Sequence, residues 1–85
     1  MPEVSRFYDI IITMYVSDHN PPHFHVRYKE YRSVVVIEER HIIGKIPVRV
    51  MRLVLKWLDL HKEELLDNWN RLAEGKSIVS IKPLE

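Results

Sequence analysis

His23-Phe24-His25-Val26-Arg27-Tyr28-Lys29-Glu30-Tyr31, followed by Arg32-Ser33-Val34-Val35-Val36-Ile37-Glu38, decides the fold of this chain. In the first stretch Phe24, Val26 and Tyr28 alternate with His23, His25, Arg27 and Lys29. Successive side chains of a strand point to opposite faces, so this period predicts a half-buried strand over about residues 23–31 with those four polar residues on one face. The second stretch carries an unbroken apolar run from Val34 to Ile37. Such a run is expected of a central strand covered on both faces, placed at about 33–38. The link between the two is too short for a parallel crossover, so they read as an antiparallel hairpin.

Upstream, Arg6 to Val16 is rich in aromatic and β-branched residues and reads as one strand over about 6–16. Ser17-Asp18-His19-Asn20-Pro21-Pro22 is a turn full of breakers. Downstream, the short link Glu39-Arg40-His41 leads to a strand at about 42–46. Pro47 stands where a first-turn proline opens a helix, and Gly75 is a suitable stop, giving one long helix over about 47–74. Met51, Val54, Leu58, Leu65, Trp69 and Leu72 recur at helical spacing as its buried stripe. Ile78 to Ile81 suggests a last short edge strand, at about 78–82.

The expected architecture is therefore α+β: one domain over residues 1–85, with a small antiparallel sheet of four to five strands packed against one long helix. That helix would run roughly 40 Å at 1.5 Å per residue. A strand of six to nine residues spans only about 20–30 Å. The helix must overhang the sheet, kink, or pack its end on a partner. With Leu55 and Leu66 flanking its stripe, a homo-oligomer is one such arrangement.

With 85 residues, 46% of them hydrophobic, and only two glycines, the chain reads as an ordered globular domain without linkers or repeats. It has no cysteine, which excludes disulfides and thiolate metal sites and suits a reducing cytoplasm. Met1 to Arg6 lacks the order of a signal peptide, and no apolar run approaches the length of a membrane span. A formal charge of +1 gives no general attraction to polyanions, so any such binding must come from local patches.

Three of the five histidines, His19, His23 and His25, crowd into Asp18-His19-Asn20-Pro21-Pro22-His23-Phe24-His25. Proline restricts its own φ and the residue before it, so Asn20-Pro21-Pro22 holds the flanking imidazoles in a stiff corner. Imidazole acts as acid, base or metal ligand near neutrality. Three chemistries follow. His23, His25 and Arg27, with Lys29 and Tyr15, form a set able to move protons and stabilise negative charge at a phosphate. Alternatively, His19, His23 and His25, with His61 from the helix, offer ligands for a transition metal such as zinc, although Arg27 and Lys29 would repel a cation. No cofactor is demanded by either set. In the third reading the corner is purely structural and locks the first hairpin. His19, Asn20 and Lys29 also belong to a candidate ligand- or partner-binding surface, as do Arg49, Arg52 and Lys56, a basic block on the first half of the helix. Cations near a helix N-terminus oppose its dipole, so folding stability alone does not favour that block. RNA or an acidic partner would fit it.

Three segments together resemble the domain-of-unknown-function 4160 family of small bacterial proteins. They are Met1-Pro2-Glu3-Val4-Ser5-Arg6-Phe7-Tyr8, the histidine–proline string from Asp18 to His25, and Leu60-His61-Lys62-Glu63-Glu64-Leu65-Leu66. The resemblance implies a compact α+β domain, often encoded beside another small protein, an arrangement for which toxin–antitoxin roles have been suggested. It implies no settled activity, cofactor or catalytic residues. The expectation is a partner-binding component of such a two-gene module, acting on RNA or another anionic ligand through the His19, His23 and His25 corner.

Overall fold

The computed structural model of the chain describes residues 3–16 and 19–85. Its elements run β1 (Glu3–Phe7), β2 (Ile10–Thr13), β3 (His23–Tyr28), β4 (Tyr31–Val36), β5 (His41–Gly44) and α1 (Val48–Ala73). The strands form one five-stranded sheet in sequence order, every neighbouring pair antiparallel. The α+β expectation holds, with one helix on one face of the sheet.

The predicted strand over 6–16 is two strands. Tyr8 and Asp9 both adopt left-handed backbone, at φ 51° and 65°. Two consecutive left-handed residues are what a tight two-residue hairpin requires. Phe7 then pairs with Ile10. In one straight strand these two would lie on opposite faces; across the turn they share one, and both enter the core. A second tight connection, Lys29-Glu30, joins Tyr28 to Tyr31, so β3 stops short of residue 31 and Lys29 sits in the turn with φ 53°.

The covered face is built from Ile10, Ile12, Phe24, Val26 and Val35, with Val50, Val54, Trp57, Leu58 and Leu65 of α1 packed on them. Phe24 and Phe7 both lie against the Trp57 ring, at 5.8 and 5.3 Å between centroids. The helix packs on this face; on the other, Thr13, His23 and Val36 are buried but Val34 of the apolar run is only half-buried, beside exposed Ile43.

The overlong helix kinks. His61 has φ −125° and ψ 23°, outside helical geometry, and divides α1 into a half over the sheet and a half that reaches the histidine corner. Beyond it, Gly75 at φ 77° closes the helix, with Gly75 N–H to Leu72 O and Lys76 N–H to Arg71 O, the paired bonds of a Schellman cap.

The predicted strand at 78–82 does not form. Extended chain is tied there by single contacts. Ile81 N–H donates to Val4 O, and the buried Asn68 amide donates to Val79 O while its carbonyl oxygen accepts from Val79 N–H. Trp57 Nε1–H donates to Lys82 O at 2.9 Å, and Ile81 and Leu84 are buried in the core. A side-chain amide thus replaces the neighbouring strand that a ladder would need.

Candidate functional site

The uncovered face of the sheet gathers most of the polar chemistry. The registers align Arg6 of β1, Ile11 of β2, Arg27 of β3 and Arg32 of β4 in one row across four strands. Two residues along each strand, Thr13, His25 and Val34 form the next row. Tyr15 lies beyond Thr13, its ring edge-on to His25 at 4.7 Å between centroids. Arg6, Ile11, Thr13, Tyr15, His25, Arg27 and Arg32 line a groove of about 240 Å³.

The arginines of that row differ in what holds them. Arg6 Nη2 meets Glu3 Oε1 at 2.8 Å, and Nε meets Oε2 at 3.3 Å. This bidentate bond holds the Glu3 carboxyl below its usual range and raises Arg6. Arg32 Nη1 donates to the carbonyls of Lys29 and Tyr31, both at 3.0 Å, which fixes its guanidinium at the hairpin end. Arg27 stands between them with no carboxylate partner among the described residues. It lies directly opposite Arg32, and like charges directly opposite one another destabilise a sheet. Folding alone gives no reason for this pairing.

The rings of His19, His23 and His25 follow one another, at 6.0 Å from the first to the second and 5.3 Å from the second to the third. His23 is not the exposed polar residue that the strand period predicts. It is only 8% exposed, because Trp69 from the second half of α1 folds against it at 5.1 Å. Its Nδ1 bonds Pro21 O at 2.8 Å. A carbonyl only accepts, so Nδ1 carries the proton in this bond. The Asn20–Pro21 peptide is cis, and His19 and Asn20 are exposed. Asp18, a further candidate ligand by sequence, lies outside the described residues.

The remaining sequence candidates go elsewhere. His61 packs on Trp57 at 5.7 Å and bonds Glu64 Oε1 through Nδ1 at 2.6 Å; no described contact joins it to the other three imidazoles. Among the described residues no three His, Asp or Glu side chains converge as metal ligands. Lys29 lies over the Tyr28 ring at 5.3 Å, off the strand. Arg49 donates to the Tyr28 hydroxyl at 3.3 Å, while Arg52 and Lys56 are exposed. All three ride on α1, so the sheet separates them from Arg27.

Arg6 and Arg32 were not among the residues singled out by sequence. Each joins Arg27 only through register, and register depends on the two tight turns. The Lys29-Glu30 turn could have been inferred from the strand ends, which would have set Arg32 opposite Arg27. The Tyr8-Asp9 turn carries no glycine or asparagine to announce it.

The family model for a domain of unknown function, DUF4160, matches residues 9–70. The chain belongs to the DUF4160 family. The match runs from the β1–β2 turn to the second half of α1 and so takes in β2, the three histidine-bearing elements β3, β5 and α1, and the kink. Comparison with curated proteins and with solved structures finds no match. No helix among the described residues is long and apolar enough to cross a membrane.

Proposed function

We propose that this DUF4160 domain binds RNA phosphates on the uncovered face of its sheet, through Arg6, Arg27 and Arg32. The observation that carries this reading is Arg27. It faces Arg32 across the strand pair at a cost to the sheet, with no described carboxylate to neutralise it, and an anion in the groove would supply the missing counter-charge. Tyr15 beside the groove adds a ring on which a base could stack. The absence of cysteine fits a cytoplasmic setting for such a ligand. The same reading accommodates a role in a two-gene module, with the exposed block Arg52 and Lys56 facing an acidic protein partner on the opposite side.

Fluorescence anisotropy with a labelled single-stranded RNA tests the proposal. Binding should weaken steeply with salt, and Arg27→Ala should lower affinity about tenfold while leaving the melting temperature unchanged or slightly raised. Equal affinity in the wild type and an Arg27→Ala/Arg32→Ala double variant would overturn it. For the two-gene role, expression alone should slow growth, and the small protein encoded nearby should restore it and co-purify. A metal held by His19, His23 and His25 would need their rings, which follow one another without converging as ligands, to rearrange. Elemental analysis of untagged protein decides it, and less than about a tenth of an equivalent of any transition metal would end that reading.

A further inference from the structure

We infer that the histidine end of the groove cleaves the RNA that the arginine row holds, with His25 as general base and Tyr15 as general acid. The inference rests on the RNA-binding reading and adds a reaction to it. Phosphate binding by the arginines does not call for His25 or Tyr15, yet both line the same groove, His25 one row beyond Arg27 and Tyr15 past that row, with their rings in edge-to-face contact. Residues two apart on a strand project from one face about 7 Å apart, so a phosphate held by Arg27 has its neighbouring atoms within the span of the His25 side chain.

His23 is a positioning residue. Its Nδ1 bond to Pro21 O and its contact with Trp69 lock its ring, and that ring abuts His25 at 5.3 Å. The stiff corner thereby limits where the His25 imidazole can sit.

The chemistry balances within the chain. His25 takes the proton of a ribose 2′-hydroxyl as its oxygen forms a bond to the adjacent phosphorus. The bond from phosphorus to the 5′-oxygen breaks, and the Tyr15 hydroxyl gives its proton to that leaving oxygen. The products are a 2′,3′-cyclic phosphate and a free 5′-hydroxyl. A proton passing from His25 to the Tyr15 oxygen restores the starting state. Arg27 and Arg6 face the charge that builds on the phosphoryl oxygens.

The test incubates the purified chain with a labelled single-stranded RNA and with the same sequence as DNA. The wild type should bind both and cut only the RNA, leaving cyclic phosphate ends, because DNA lacks the attacking hydroxyl. His25→Ala and His25→Gln should each slow cutting at least a hundredfold, while affinity for the uncut DNA shifts less than tenfold. Tyr15→Phe should slow cutting similarly. RNA bound but left intact by the wild type would overturn the cleavage inference and leave the binding proposal standing. Cutting unchanged in both His25 variants would also overturn it. Failure of the wild type to bind either oligomer would overturn both.

Discussion

The two faces of the sheet are made from the same strands, residue by residue, yet they obey different rules. On the covered face Ile10, Ile12, Phe24, Val26 and Val35 meet the helix and are shielded from water. On the other face the intervening residues of the same strands are Ile11, Thr13, His25, Arg27 and Val34. The first set can be explained by burial alone, at roughly 25 cal/mol for each Å² of apolar surface removed from water. The second cannot: it places Arg27 against Arg32 and a histidine against a tyrosine in a groove. The contrast teaches where folding stops accounting for the sequence.

Replacing Trp57 with alanine would break the covered face most severely. The indole is fully buried, packs on Phe7, Phe24 and His61, and anchors the C-terminal segment through Lys82 O. A loss of about 3–5 kcal/mol is expected in urea unfolding, with release of the segment around Lys82. A loss under about 1 kcal/mol would mean that the two faces differ less than the packing indicates.

Ser33→Ala sharpens the same contrast with a smaller effect of opposite sign. Ser33 pairs with Val26 on the covered side, and its buried hydroxyl has no hydrogen-bond partner. An unsatisfied buried hydroxyl is costly, so its removal should stabilise the chain by up to about 1 kcal/mol in thermal or urea unfolding. RNA affinity should not change, because the side chain lies on the face away from the arginines.

Glu3→Gln addresses the uncovered face and should be the gentlest change. Glu3 ties down Arg6, so freeing that guanidinium should tighten RNA binding about two- to threefold by anisotropy. The linkage runs in one direction. Because Arg6 holds the Glu3 carboxyl below its ordinary 4.5, the pair's contribution to stability is complete above that value and fades as pH falls through the lower folded value. The pair is solvent-exposed, so the difference in acid stability between wild type and variant should be slight.

Much of the fold was legible because alternation is strict where it matters. Phe24, Val26 and Tyr28 against His25 and Arg27 fixed the orientation of β3, and the helical stripe located α1 to within about a residue at each end. The Tyr8-Asp9 turn was hidden because both its flanks favour extended structure and Tyr8, unlike Asp9, is not a residue that readily takes left-handed backbone. The segment around Ile78 to Ile81 reads as a strand because of its apolar residues, but only Ile81 is buried, Val79 is exposed, and a helix asparagine stands in place of a neighbouring strand. Of the site, His25 and Arg27 were found from their shared face. His23 was misplaced because strand period ignores what a distant helix can fold over a strand end, here Trp69. Arg6 and Arg32 required register, which single-residue patterns do not contain.

The bend at His61 also bears on how the molecule opens. A helix interrupted in its middle has four ends where an unbroken one has two, and amide protons exchange most readily at ends. Residues before the bend are fastened to the sheet through Val50, Val54, Trp57 and Leu58, and those after it through Leu65 and Leu72, with Trp69 against the histidine corner and Asn68 on the C-terminal segment. The bend should therefore show as faster amide exchange around His61 than in the packed turns on either side of it.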